Sequence, residues 1–141
     1  MADIMNTENA TINFDGPFST IDIETFEGAQ RTVNAINNSQ SLNDYIKNNG
    51  NEPFTIVDIV MTPGVRKGRN GQQDSECEDT RLILADNTSL LSQSDGIARS
   101  ARFIAKFLYK SLHDGIMVRV VTQALATGNT VKNLEVVGKA K

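Results

Sequence analysis

The chain has no tryptophan, one histidine and one cysteine, and only 6% of its 141 residues are aromatic. The lone Cys77 excludes an internal disulfide framework and suits a reducing compartment, so a cytoplasmic location is expected. Without a second thiol, and with the single His113 at the end of a helical pattern, neither a zinc site nor a Cys–His nucleophile is expected. No apolar run approaches the roughly 20 residues that span a bilayer. Met1 to Asn13 lacks the basic-then-apolar order of a secretory signal, so no membrane partner is expected. A P-loop and a dinucleotide fingerprint are also missing. Catalytic residues, metals and cofactors are accordingly expected to be none.

What is present is ordinary in bulk and uneven in distribution. Hydrophobic residues make up 39% and charged residues 22%, as in a single globular domain with a real core. The net charge is −3, yet the first 30 residues hold six carboxylates (Asp3, Glu8, Asp15, Asp22, Glu24, Glu27) and no base. From Arg99 to Lys141 there are eight bases against Asp114 and Glu135. An acidic front and a basic back let the back attract a polyanion.

Residues 1–13 read as a flexible acidic arm. Residues 14–52 read as an extension that packs on residues 53–138. It holds an aromatic turn at Phe14–Phe18, a short strand over Ser19–Phe26, and a helix over Glu27–Asn37 with Ala29, Val33 and Ile36 on one side. A second helix is capped by Ser41 and runs to Lys47. Residues 53–138 are better patterned. Phe54–Thr62 alternates as a strand, with Val57, Ile59 and Met61 on one face and Pro63-Gly64 ending it. A long loop over Val65–Asp79 leads to strand Thr80–Ala85, a turn at Asp86-Asn87, and strand Thr88–Ser92. Ser94–Leu112 is a helix with Ile97, Ala101, Ile104 and Leu108 on its apolar stripe. Arg99, Arg102, Lys106 and Lys110 lie opposite, a pattern any solvated helix face shows. Strands Ile116–Leu125 and Thr130–Val137 flank a turn at Thr127–Asn129, and residues 139–141 form a short basic tail.

Five strands with a helix between the third and fourth is the order of an OB-fold. The expected fold class is therefore an all-β core with helices, a five-stranded OB β-barrel carrying an N-terminal arm and short helices. Such barrels bind oligonucleotides or oligosaccharides across one face. Arg66, Lys67 and Arg69 lie among glycines in the loop between the first two barrel strands, where they can neutralise phosphates. Arg81, Arg119 and Lys132 are the strand-borne candidates for the same backbone, and Phe54 is the aromatic nearest the sheet. Stacking on rings contributes about 1–3 kcal/mol per base in single-strand binders. With so few rings on strands, phosphate contacts and strong salt dependence are expected instead. Asp74, Glu76, Glu78 and Asp79 could hold Mg²⁺ for phosphodiester cleavage, but they read better as carboxylates that offset the loop's cations.

The strings TPGVRKGRNG (Thr62–Gly71) and SQSDGIARSA (Ser92–Ala101) resemble the small single-stranded-DNA-binding proteins of Gram-positive conjugative plasmids and related phages. The resemblance covers Thr62 to Leu108. It implies a non-enzymatic OB-fold protein that coats single-stranded DNA in plasmid conjugation or DNA replication. Separately, a homo-oligomer is expected, either a dimer or a chain on DNA linked by the arm, whose Ile4, Met5, Ile12 and Phe14 would pack on a neighbour. Duplex DNA stays open as a partner, and so does an OB-fold module that binds a protein in a transfer or phage assembly. Housekeeping single-strand binders carry strand tryptophans and an acidic, Phe-tipped end. Here the end is Gly138-Lys139-Ala140-Lys141, so their partner recruitment and tetrameric wrapping are not carried over.

Overall fold

The computed structural model describes residues 12–140, and the arm read over residues 1–13 lies outside them except for Ile12 and Asn13. Among the described residues seven strands form one mixed, largely antiparallel sheet: β1 (Phe18–Ser19), β2 (Ser39–Ser41), β3 (Phe54–Arg66), β4 (Ser75–Leu84), β5 (Ser89–Ser92), β6 (Ile116–Ala124) and β7 (Thr130–Lys139). Their order is β2-β5-β4-β3-β6-β7, with β1 paired to β3. No ladder among the described residues joins β5 to β7, so the sheet is an open path and not the closed barrel expected.

β3 organises the sheet, since β1, β4 and β6 all pair with it. It runs four residues past the expected stop, with Pro63 opposite Glu78 and Gly64 opposite Cys77. Thr20 N–H donates to the Ile59 carbonyl at 3.0 Å, so the polar groups of Ile59 face β1. Pro63 has the same parity but lies beyond the short β1, so its missing N–H removes no ladder bond. A bulge between Ile56 and Asp58 leaves Val57 as the extra residue. The bulge flips the alternation. Phe54 and Ile56 before it, and Ile59 and Met61 after it, enter the main core. Val57 does not, so the expected Val57, Ile59 and Met61 face holds only for its last two members.

The long loop expected over Val65–Asp79 is mostly a hairpin. The β3–β4 ladder continues to Arg66 opposite Ser75. At its tip Gln72 N–H donates to the Arg69 carbonyl at 3.1 Å, and Asn70 and Gly71 both take positive φ, 56° and 83°. That is the signature of a type I′ turn. At the other end β7 extends to Lys139 and absorbs the first residue of the expected basic tail.

Among the described residues four helices pack on the sheet: α1 (Phe26–Asn37), α2 (Leu42–Asn49), α3 (Asp95–Phe107) and the single turn α4 (Tyr109–Leu112). Ser94 caps α3 by accepting from Ile97 N–H at 3.3 Å, and Ile97, Ala98, Ala101, Ile104 and Ala105 are buried. The helix breaks at Leu108 instead of continuing to Leu112. A Cβ on Gly96 would lie 2.0 Å from the Lys132 carbonyl, so a side chain there is excluded by β7's backbone. Ser41 caps α2 as expected, accepting from Asp44 N–H. In α1, Thr25 is the cap and Gly28 and Ala35 face inward, while Val33 is 54% exposed. The expected strand over Ser19–Phe26 contracts to β1, with Ile21 buried and Ile23 exposed.

The main core lies where α2, α3 and α4 meet one sheet face, through Leu42, Ile97, Ile104, Leu112, Ile59 and Leu82. A smaller cluster of Ile21, Ala35, Val60 and Ile83 lies on the opposite face, under α1. Residues 14–52 therefore add two strands, α2 on the main-core face and α1 over part of the second face.

Candidate functional site

The cation-bearing hairpin tip is the first place to look. Arg66 Nη2 donates to the Gln93 carbonyl at 2.5 Å and lies 3.3 Å from Asp95 Oδ1, which ties the hairpin's base to the start of α3. Gln93 Nε2 donates to the Val65 carbonyl at 3.2 Å and to Asp79 Oδ1 at 2.9 Å, completing the seam. Across the tip, Gly68 N–H donates to Asp74 Oδ1 at 2.8 Å, and Lys67 Nζ lies 3.5 Å from Asp74 Oδ2. A Cβ on Gly68 would sit 2.0 Å from the Gln72 carbonyl, so only glycine fits that crossing. Lys67 is 85% exposed, and Arg69 is exposed with no ion pair among the described residues. Arg66, Lys67, Arg69, Gln72 and Gln93 line an open depression beside the hairpin.

The strand-borne candidates do not converge on this tip. Arg81 is 6% exposed and is held from three sides. Its Nε donates to Ser39 Oγ at 3.0 Å, its Nη1 donates to Thr62 Oγ1 at 2.8 Å, and its Nη2 lies 3.7 Å from Asp79 Oδ2. Burial pushes the guanidinium below its ordinary range, and Asp79 opposes that shift. Arg81 is thus a structural cation under residue 39, not a phosphate contact. Phe54 is 8% exposed and packs edge-on against Tyr45 at 5.6 Å, so it offers no ring face to a base. Arg119 pairs with Glu135 at 2.6 Å. Lys132 reaches Asn43 Oδ1 of α2 at 3.1 Å. Val120 lies opposite Leu134 and both enter the core. By alternation Lys132 therefore shares the core side and Arg119 the other, so one ligand strand cannot cross both within the sheet.

The four carboxylates after the tip also separate. Asp74 faces Gly68 and Lys67, while Asp79 faces Gln93 and Arg81. Glu78 is gripped by Arg102 of α3, whose Nη1 donates to Oε1 at 3.0 Å and whose Nη2 donates to Oε2. That carboxylate raises Arg102 above its ordinary range. Arg102 Nε also donates to the Phe14 carbonyl at 2.5 Å, so this cation turns away from the basic stripe expected on the helix.

Two groupings were not anticipated. Asp58, 2% exposed in the middle of β3, accepts from Thr20 Oγ1 at 2.7 Å and from Arg31 Nη2 at 3.3 Å, and its Oδ1 lies 3.0 Å from His113 Nδ1. A single carboxylate in an apolar strand was the available signal, since burying it requires partners. The second grouping is the exposed pair Phe103 and Phe107 on α3, flanked by Arg99 and Lys106. Both rings fall off the apolar stripe at helical spacing, so a helical wheel would have placed them outside.

Comparison with protein-family models, with curated proteins and with solved structures returned no match. No helix among the described residues is long and apolar enough to cross a membrane.

Proposed function

We propose that this protein binds single-stranded DNA without strong sequence preference and without catalysis, chiefly through phosphate contacts, as a cytoplasmic protein of plasmid transfer or replication. Duplex DNA is the competing ligand. The observation that carries the reading is the β3–β4 hairpin tip. It holds Lys67 and Arg69 out in solvent, keeps Arg66 anchored behind them, and borders an open depression. Cations on a defined turn can meet successive phosphates without first being ordered.

The strand order from β3 to β7, with α3 between β5 and β6, supports reading this part as a partly open OB-fold. In such folds the second and third strands and the loops after the first and fourth strands take the ligand. Here α1 packs over Val60 and Ile83 on one face and β2 pairs along the edge of β5, which leaves the hairpin end as the uncovered part of these strands.

The test is a salt titration of binding to a fluorescent single-stranded oligonucleotide, with the full chain and with a Lys67→Gln, Arg69→Gln variant. Each neutralised phosphate contributes about 0.7 to the log–log slope for single strands, so losing two contacts should flatten the slope by about 1.4. An unchanged slope in the folded variant would remove the hairpin from the interface.

A further inference from the structure

The outer face of α3 joins aromatic rings to cations. Phe103 and Phe107 are 48% and 71% exposed. They stand one helical turn apart, with centroids separated by 6.1 Å and ring planes tilted by 31°. The Arg99 guanidinium carbon lies 5.8 Å from the Phe103 centroid, and Lys106 Nζ lies 5.8 Å from the Phe107 centroid. Residues 96–113 contain no carboxylate. Among the described residues Arg99, Lys106 and Lys110 enter no ion pair.

This face is continuous with the hairpin. Asp95, which pairs with Arg66, heads the stripe that continues through Arg99 and Phe103 to Lys106 and Phe107 at helical spacing, and Lys110 follows in α4 past the break at Leu108. Over α3 that stripe is about 18 Å long at 1.5 Å per residue. A shallow depression beside Phe107, bordered by Phe14, Lys106 and Lys110, gives the far end a concave edge. Large rings left in water next to unpaired cations suit a ligand that brings flat apolar faces and negative charge together. A nucleic acid with unpaired bases has both, whereas a duplex hides its base faces.

We propose that Phe103 and Phe107 form a stacking platform for the bases of single-stranded nucleic acid, with Arg99, Lys106 and Lys110 taking the adjoining phosphates. This rests on the single-strand reading of the hairpin and extends the bound strand along α3.

The test uses the full chain, an unstructured oligothymidylate of about 20 nucleotides, longer than one OB site, and a duplex of matched length. A Phe103→Ala, Phe107→Ala variant should lose about ten-fold or more in oligothymidylate affinity for each ring removed. Its salt slope, duplex affinity, thermal melt and particle mass should stay unchanged. A separate Phe107→Trp variant keeps a stacking ring and supplies the sole indole of the chain. Its emission should be quenched by oligothymidylate and not by duplex, with affinity retained.

If the wild type binds oligothymidylate but the Ala variant matches it and the indole is not quenched, the platform is refuted and the hairpin reading survives. Unchanged DNA affinity with an altered particle mass would instead assign the rings to contact between copies and refute the platform. A wild type indifferent to oligothymidylate at low salt would end both readings.

Discussion

Replacing Asp58 with asparagine should lower stability by about 2–3 kcal/mol without abolishing folding. The carboxylate has a side-chain exposure of 3%, while its neighbours Arg31 and His113 are 38% and 48% exposed. Breaking one side of a fully buried pair costs about 3–5 kcal/mol because the other charge is stranded. Here both partners can turn to water, so the loss is discounted to the lower figure. Asparagine can still accept from Thr20 at one oxygen, but its amide faces donors where the second oxygen stood. A buried donor without an acceptor costs about 1–3 kcal/mol, which accounts for much of the total. A urea melt should show a lower midpoint with the slope m unchanged. The melting temperature should fall by roughly 6–12 °C for a chain of this size. Hydrogen exchange should rise first over residues 18–37, because Thr20 and Arg31 belong to the extension that Asp58 fastens to β3. A change below about 0.5 kcal/mol, the usual effect of a surface substitution, would refute the assignment of Asp58 as the clamp.

Gly96→Ala should also destabilise, by about 1–3 kcal/mol from overpacking, since a Cβ there would meet the Lys132 carbonyl at 2.0 Å. Alanine gains about 1 kcal/mol in helix propensity, so a stabilised variant in a thermal melt would show that α3 does not back onto β7 as described. Burial first, then the neighbouring Asp79 carboxylate, raises the Cys77 thiol above its usual range. Since the thiolate is the nucleophile, alkylation by iodoacetamide should show a pH midpoint above that of an unstructured cysteine peptide; a midpoint at or below it contradicts the placement of Cys77 beside Asp79.

Local signals carried well into the fold, and long-range ones did not. The cap Ser41 works as expected, because capping depends on a hydroxyl and an N–H two or three residues away. The hairpin after Arg66 was missed although Asn70-Gly71 is a strong short-range turn signal, because the neighbouring glycines and cations read as a longer loop. Pro63 reads as a breaker in any sequence, and only the position of β1 shows that its missing N–H goes unused. The bulge at Val57 had no composition cue, so the face assigned to β3 slipped at one residue. At the candidate site the failures share one cause. Arg81 is buried by Ser39 of β2, 42 positions earlier in the chain, and Phe54 by Tyr45 of α2. A strand pattern says which side a residue faces and not what later covers that side. Lys67 and Arg69 stayed accessible because a tight turn projects its side chains whatever packs behind it.

The most direct measurement is the affinity of the full-length chain for a single-stranded oligonucleotide as ionic strength rises, beside a paired oligonucleotide of equal length. Tight binding at low salt that weakens linearly in log–log form, with the single strand preferred, is the predicted result. A folded sample that ignores both polymers at low salt, or holds them with no salt dependence, would contradict it.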